Sequence, residues 1–216
     1  MYCGFQVYLS HNKDPLKSKF PSNVEQVPGL KSLSGSCAIL NDDTICSIDD
    51  VIFCTGYHYK FDFLPSDCAT VSVDDDEVVS PLYRHLISIE HPESLFFIGI
   101  PKTICPFPFF HSQMRAIAAI LQRHIQLPAK DVMRAEAERE LEERMRGGMP
   151  RRYAHSMGAR QWDYLDDLAE FGGFEKLPRY LEKLYTAVHK QRHIDSKTYK
   201  LKNYVITSDS DFKTVT

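Results

Sequence analysis

Apolar and polar residues change rhythm several times along the chain, and each rhythm predicts an element. Phe5, Val7 and Leu9 alternate with Gln6 and Tyr8, the period of two expected of a strand. Residues 11–36 are broken by Lys, Pro, Ser and Gly and read as loop. Cys37–Leu40 and Thr44–Ile48 flank Asn41-Asp42-Asp43, a β-hairpin pattern. Val51–Cys54 is apolar without interruption, as in a strand buried on both faces, and stops at Thr55-Gly56. Residues 58–94 read as irregular, and their acidic run Asp74–Glu77 reads as a solvated turn. Leu95–Gly99 predicts a second buried strand, with Pro101, Pro106 and Pro108 excluding regular structure just after it.

The second half is helical. Met114, Ile117, Ala118, Leu121 and Ile125 share one face of a helix beginning near His111. Ala116, Ala119 and Ile120 make its other face apolar, so a largely buried helix is expected, with Leu121 inside. From Ala129 a narrow stripe of Met133, Ala137, Leu141 and Met145, with Glu140–Arg144 and Glu142–Arg146 at i,i+4, predicts an exposed helix ending at Gly147-Gly148. Two more helices follow. One carries Trp162, Leu165 and Phe171 and stops at Gly172-Gly173; the other starts at Pro178 and carries Leu181, Leu184, Tyr185 and Val188. The last twenty or so residues are polar and read as extended.

Composition narrows the class. The 216 residues carry a net charge of −3, with 43% hydrophobic and 25% charged residues. That balance suits a core-forming domain and gives no electrostatic reason for a nucleic-acid partner. No signal peptide or membrane-spanning run is visible, so a soluble, intracellular chain is expected, cytoplasmic or associated with the endoplasmic reticulum. The six cysteines, at 3, 37, 46, 54, 68 and 105, form no C-x-x-C pair and are expected reduced. His189 and His193 sit at i,i+4 but lack a third ligand nearby, so no metal site is assigned.

The sharpest element is Asp50-Val51-Ile52-Phe53-Cys54-Thr55-Gly56-Tyr57, followed by Phe63-Leu64. On the residues alone it is either a buried strand with a tight turn or a strand whose glycine lets a backbone or ligand approach. It is followed in order by Pro81-Leu82-Tyr83-Arg84-His85-Leu86, His91-Pro92, Leu95–Gly99, Pro106–Phe110 with Gln113 and Arg115, Gln161-Trp162-Asp163-Tyr164 and Lys202-Asn203-Tyr204. The series resembles the carboxy-terminal half of flavin-containing monooxygenases, in particular their glucosinolate-oxygenase-like branch.

The resemblance implies an α/β fold: part of a flavoprotein with two dinucleotide-binding, Rossmann-like domains and a helical tail. Residues 1–35 would be a remnant of the NADPH-binding domain, 36–128 the returning part of the FAD-binding domain, and 129–216 a helical extension. It implies FAD and NADPH as cofactors, and transfer of one oxygen atom to a nucleophilic nitrogen or sulfur of a small molecule. Thr55 and Gly56 would end the return strand at a close backbone junction. Gly99 and the helix after it would cradle the flavin, with Gln113 donating to a flavin carbonyl and Phe107 and Phe109 packing on the rings; for any one of these aromatics ordinary core is the simpler reading. Ser10, His11 and Lys13 would reach the ribose 2′-phosphate, with Asn12 standing where the family commonly places Arg. No G-x-G-x-x-G occurs in the chain. Both such loops, and the family's oxygen-site residues, are expected upstream of Met1, so no catalytic residue is assigned. Two alternatives stay open: an inactive fragment, and another two-dinucleotide flavoprotein such as a disulfide reductase. Oligomeric state and membrane association of a longer protein are left open by the sequence.

Overall fold

The computed structural model describes residues 5–65, 68, 70–71 and 78–215. Cys3 and the run Asp74–Glu77 lie outside them. The strands are β1 (Val7–Ser10), β2 (Val24–Val27), β3 (Leu30–Ser34), β4 (Cys37–Leu40), β5 (Ile45–Ser47), β6 (Thr70–Val71), β7 (Val79–Ser80), β8 (Leu82–Tyr83) and β9 (Ile87–Ser88). They are followed by α1 (Pro106–Leu121), α2 (Lys130–Arg146), α3 (Gln161–Gly172), α4 (Tyr180–Ile194) and a closing pair, β10 (Asn203–Ser208) and β11 (Asp211–Val215). The chain forms two compact units, one of residues 1–55 with 178–216 and one of residues 56–177.

In the first unit β1 and β2 pair in parallel, Val7 opposite Val24 and Ser10 opposite Val27. The expected hairpin is present as β4 and β5, and β3 joins it antiparallel on the other side of β4. Ala38, Leu40 and Cys46 are buried there against Val27, Leu30 and Ile48. Residues 11–36 are therefore not all loop. β2 and β3 escape a reading by rhythm because Glu25, Gln26, Lys31 and Ser32 dilute their apolar positions. The polar tail folds back as the β10–β11 hairpin, and α4 ends where Lys19 donates its N–H to Ile194 O.

Val51–Cys54 is not a buried strand. The run is extended, pairs with no strand among the described residues and is open to solvent, Ile52 at 86% exposure. Its apolarity calls for partners on both faces that the described residues do not supply.

In the second unit Tyr83, Leu86, Ile87 and Ile89 from the β8–β9 region pack with Ala116 and Ile120 of α1, Met133 of α2 and Leu168 of α3. Val79, Leu82, Phe97 and Ile100 form a smaller cluster beside it. Leu95–Gly99 gives no strand; Phe96 makes a single bridge to Ile87 before the chain turns at Gly99.

α1 starts five residues ahead of His111, and its first turn contains both prolines. Pro106 and Pro108 stand at the first and third helical positions, where no intrahelical N–H bond is required. The buried face is Phe109, Ser112, Gln113, Ala116, Ala119 and Ile120. Leu121, expected inside, is 60% exposed, and Met114 is exposed too. Small residues took the inner face because α3 comes close: a Cβ on Gly172 would stand 3.5 Å from Ala116 Cα. α2, α3 and α4 begin and end close to expectation, α3 closing on Gly173 at φ +64°. Among the described residues no helix is long and apolar enough to cross a membrane, and the five cysteines form no disulfide.

Candidate functional site

Each unit holds part of the expected constellation. At the end of β1 the Ser10 hydroxyl is spent on Pro28 O at 2.9 Å. His11 Nδ1 accepts the Lys13 N–H at 3.3 Å, so the neutral ring carries its proton on Nε2 and donates to Gln26 Oε1 at 3.2 Å. Asn12 turns inward. Its Oδ1 accepts from Asn41 Nδ2 at 2.8 Å and lies 1.7 Å from where a Cβ on Gly29 would stand, so only glycine fits opposite it. Of these residues, the exposed Lys13 is the one whose charge faces solvent.

Thr55 and Gly56 are exposed. Gly56 has φ +89° and nothing within 4 Å of a Cβ built on it. The expected close junction is therefore not formed; the glycine is needed for its left-handed turn, not for clearance.

In the second unit Gly99, at φ +83°, sits above α1, and a Cβ there would press Phe110 at 3.2 Å. Its N–H donates to Gln113 Oε1 at 3.1 Å. Gln113 is fully buried and its Nε2 donates to Tyr164 Oη at 3.2 Å. Of the Gln113 amide, expected to donate to a flavin carbonyl, the oxygen and one N–H are engaged inside the protein. Phe109 is core, stacked on Tyr164 with centroids 5.0 Å apart and planes 10° apart. Phe107 is 86% exposed. The helix start also has fewer free donors than a helix normally offers. Two of its first three residues are prolines and the N–H of the capping Cys105 donates to Gln161 Oε1 at 2.6 Å, which leaves the Phe107 N–H. No acidic side chain occupies the first turn, so the positive end of the helix dipole is uncompensated there.

The sequence did not single out the buried polar cluster beneath this edge. His85 and His155 face each other through their Nδ1 atoms at 2.9 Å, His155 Nε2 accepts the Val79 N–H at 2.9 Å, and His85 Nε2 meets Glu140 Oε1 at 3.0 Å. Arg144, buried, spans the carbonyls of Ala154 and Ser156 and lies 3.7 Å from Glu140. Burial, with the charges of His85, Arg144 and Lys102, depresses His155 to about 3. Burial raises Glu140, but the His85 hydrogen bond and the charges of His85, Arg144 and Arg160 outweigh it and hold the carboxyl at about 2. Burial pushes the Tyr164 phenol well above its ordinary value, and its hydroxyl donates to Arg84 O at 2.9 Å. Arg84 and His85 are consecutive non-glycine residues at φ +53° and +52°, a conformation that costs about 1–2 kcal/mol per residue and persists only when its surroundings enforce it. A cavity of about 340 Å³ lies beside them, lined by Arg84, Glu140, Arg160 and Tyr164 among others.

The strand, turn and helix geometry and the order of motifs define a class, and comparison with known proteins agrees: residues 13–185 match the family described as flavin-binding monooxygenase-like, and the chain belongs to that family. Among its relatives are two Arabidopsis thaliana proteins, flavin-containing monooxygenase FMO GS-OX-like 2, 32% identical over 196 residues, and FMO GS-OX-like 4, 35% identical over 166. The matches take in 85% and 77% of this chain but 42% and 36% of those relatives. The fold is similar to that of S-allyl-L-cysteine S-oxygenase from Allium sativum, with a TM-score of 0.78 and 30% identity over 90% of this chain and 45% of that one. Tmm from Pelagibacter sp. shares the fold at a TM-score of 0.78 and 20% identity.

Proposed function

We propose that this chain supplies the returning part of the FAD-binding domain, and a strand of the NADPH-binding domain, of a monooxygenase that oxygenates nucleophilic nitrogen or sulfur atoms of small molecules. The observation that carries the reading is the Gly99 turn leading into α1. There an uncompensated helix N-terminus, a free Phe107 N–H and the exposed Phe107 ring lie together at one edge. An aromatic, electron-accepting cofactor is met by such an edge: the ring offers stacking area, and the helix dipole favours negative charge that grows on reduction. The flavin supplies the oxygen-activating chemistry when bound. Lys13, exposed beyond the end of β1, would pair with a 2′-phosphate as a point charge without the bidentate grip of an arginine. Sulfur as the receiving atom is supported by the S-oxygenase relative.

The residues of this chain fit one edge of a flavin only. No glycine-rich loop offers backbone N–H groups to a pyrophosphate, and each such charge-assisted bond is worth about 1.5–3 kcal/mol. By itself the chain is therefore an inactive portion of the enzyme. The test is to add FAD and NADPH to the chain alone and to a polypeptide extended to family length. Retained flavin absorbance and oxygen-dependent NADPH consumption are then measured. Flavin is expected to stay with the extended polypeptide and leave the chain alone. Stoichiometric flavin on the chain alone, or none on the extended polypeptide, overturns the reading.

A further inference from the structure

The hydrogen bonds of the buried cluster run in fixed directions. Because His155 Nε2 accepts the Val79 N–H, the neutral ring holds its proton on Nδ1 and donates to His85 Nδ1. His85 donates its Nε2–H to Glu140, and when that ring is uncharged its Nδ1 accepts from His155. A second chain is directed in the same way, from the Gly99 N–H through the Gln113 amide and the Tyr164 hydroxyl to the Arg84 carbonyl. The first chain passes through His85 to Glu140 and the second ends on Arg84, and these adjacent residues share a left-handed turn closed by the Leu86 N–H on Tyr83 O. Neither residue would hold that conformation unaided. Each chain fixes one side of the turn: the first the His85 ring, the second the peptide before it.

We propose that Tyr164 and His85 are positioning residues, which through the Arg84–His85 turn and Gln113 set the conformation of the Gly99 turn and so of the edge at the start of α1. This rests on the flavin role given to that edge above. His85 touches neither Gly99 nor Gln113; its influence reaches Gln113 through the Arg84–His85 turn and through the edge of its ring on Tyr164, centroids 6.1 Å apart, and both routes pass to Gln113 by the Tyr164 hydroxyl. Tyr164 is anchored by stacking on Phe109 as well as by its hydroxyl, so the ring can be kept while the hydroxyl is removed.

The experiment is amide hydrogen exchange on the full 216-residue chain, read residue by residue for Y164F, H85N and the double variant. Y164F keeps the ring and deletes the link between Gln113 and Arg84. H85N keeps a residue tolerant of the left-handed turn, with an oxygen to accept from His155, and loses the bond to Glu140. In Y164F the Gly99 amide is expected to exchange about two- to tenfold faster, the effect of releasing one ordering hydrogen bond. Ala119 and Leu168, inside α1 and α3, are expected to stay unchanged. H85N is expected to speed Gly99 as well, but to add nothing in the Y164F background, because both routes from His85 reach Gln113 only through the hydroxyl that Y164F removes. An unchanged Gly99 in Y164F, equal acceleration of all three amides, or additive effects in the double variant each overturn the proposal. No cofactor enters this measurement, so it stands or falls separately from the flavin test.

Discussion

Acidification should destabilise the second unit before most of its carboxylates protonate, and His155 is the main reason. Its ring is buried against Val79, His85 and Arg144, and its folded pKa of about 3 lies far below the ordinary histidine value of 6.5. Below pH 6.5 the unfolded chain takes up a proton that the folded protein refuses, so stability falls with pH until about 3, where both states are protonated. Between pH 7 and pH 4 this one ring removes about 3 kcal/mol, at about 1.4 kcal/mol for each pH unit below 6.5. Glu140 acts in the same direction but lower: its folded pKa of about 2 against 4.5 gives stability that is lost from pH 4.5 downward. With its side chain 39% exposed, solvent screening keeps that contribution under about 1 kcal/mol at pH 4. A domain is stable by about 5–15 kcal/mol in all, so the histidine effect is large. Urea unfolding followed by the fluorescence of Trp162 at pH 7, 6, 5 and 4 measures it. The midpoint should move down by more than about 1 M across the series. H155Q retains an oxygen to accept the Val79 N–H but cannot titrate. It should be about 1–2 kcal/mol less stable at pH 7 and nearly flat from pH 6.5 to pH 4.5. A variant slope equal to that of the unsubstituted protein would refute the assignment of acid sensitivity to this ring.

Leu121→Ala should cost under about 1 kcal/mol because the side chain is mostly in solvent, whereas Leu168→Ala, at a fully buried position, should cost about 2–5 kcal/mol in a thermal or urea melt. Gly99→Ala should destabilise by about 1–3 kcal/mol, since φ +83° disfavours any side chain and Phe110 blocks the added methyl; equal melting of variant and parent would contradict the turn geometry. Trp162, 7% exposed, should emit at shorter wavelength than free tryptophan in water and shift to the solvent value only on unfolding.

Helices α2, α3 and α4 and the β4–β5 hairpin were legible in the sequence because their signals are local: a stripe at helical spacing, a glycine stop, turn residues between two apolar runs. α1 was legible as an element but not in its start or its inner face. Prolines that break a helix interior are accepted in its first turn, and the residues that let α3 approach are the small ones, not the large apolar ones. Val51–Cys54 shows a different limit. Apolarity records the burial a run requires, and says nothing of which strands are present to give it. At the site, the resemblance led to Gly99 and Gln113, yet the partner that decides what Gln113 does, Tyr164, lies 51 residues away. His85 and His155, 70 residues apart, follow no spacing rule at all, so only the folded chain brings them together.

The division into units bears on synthesis. Residues 56–177 are contiguous, and their helices and short strands can close on one another as soon as that stretch has left the ribosome. The other unit is assembled from both ends of the chain, with residues 1–55 completed by 178–216. The Ser18 hydroxyl donates to Arg192 O across 174 residues of sequence, so the strands of residues 7–47 can pair early, while the loop at Ser18–Lys19 waits for α4. The Val51–Cys54 run stays exposed after that closure too, so a chaperone that holds apolar segments would find a client sequence there both during and after synthesis.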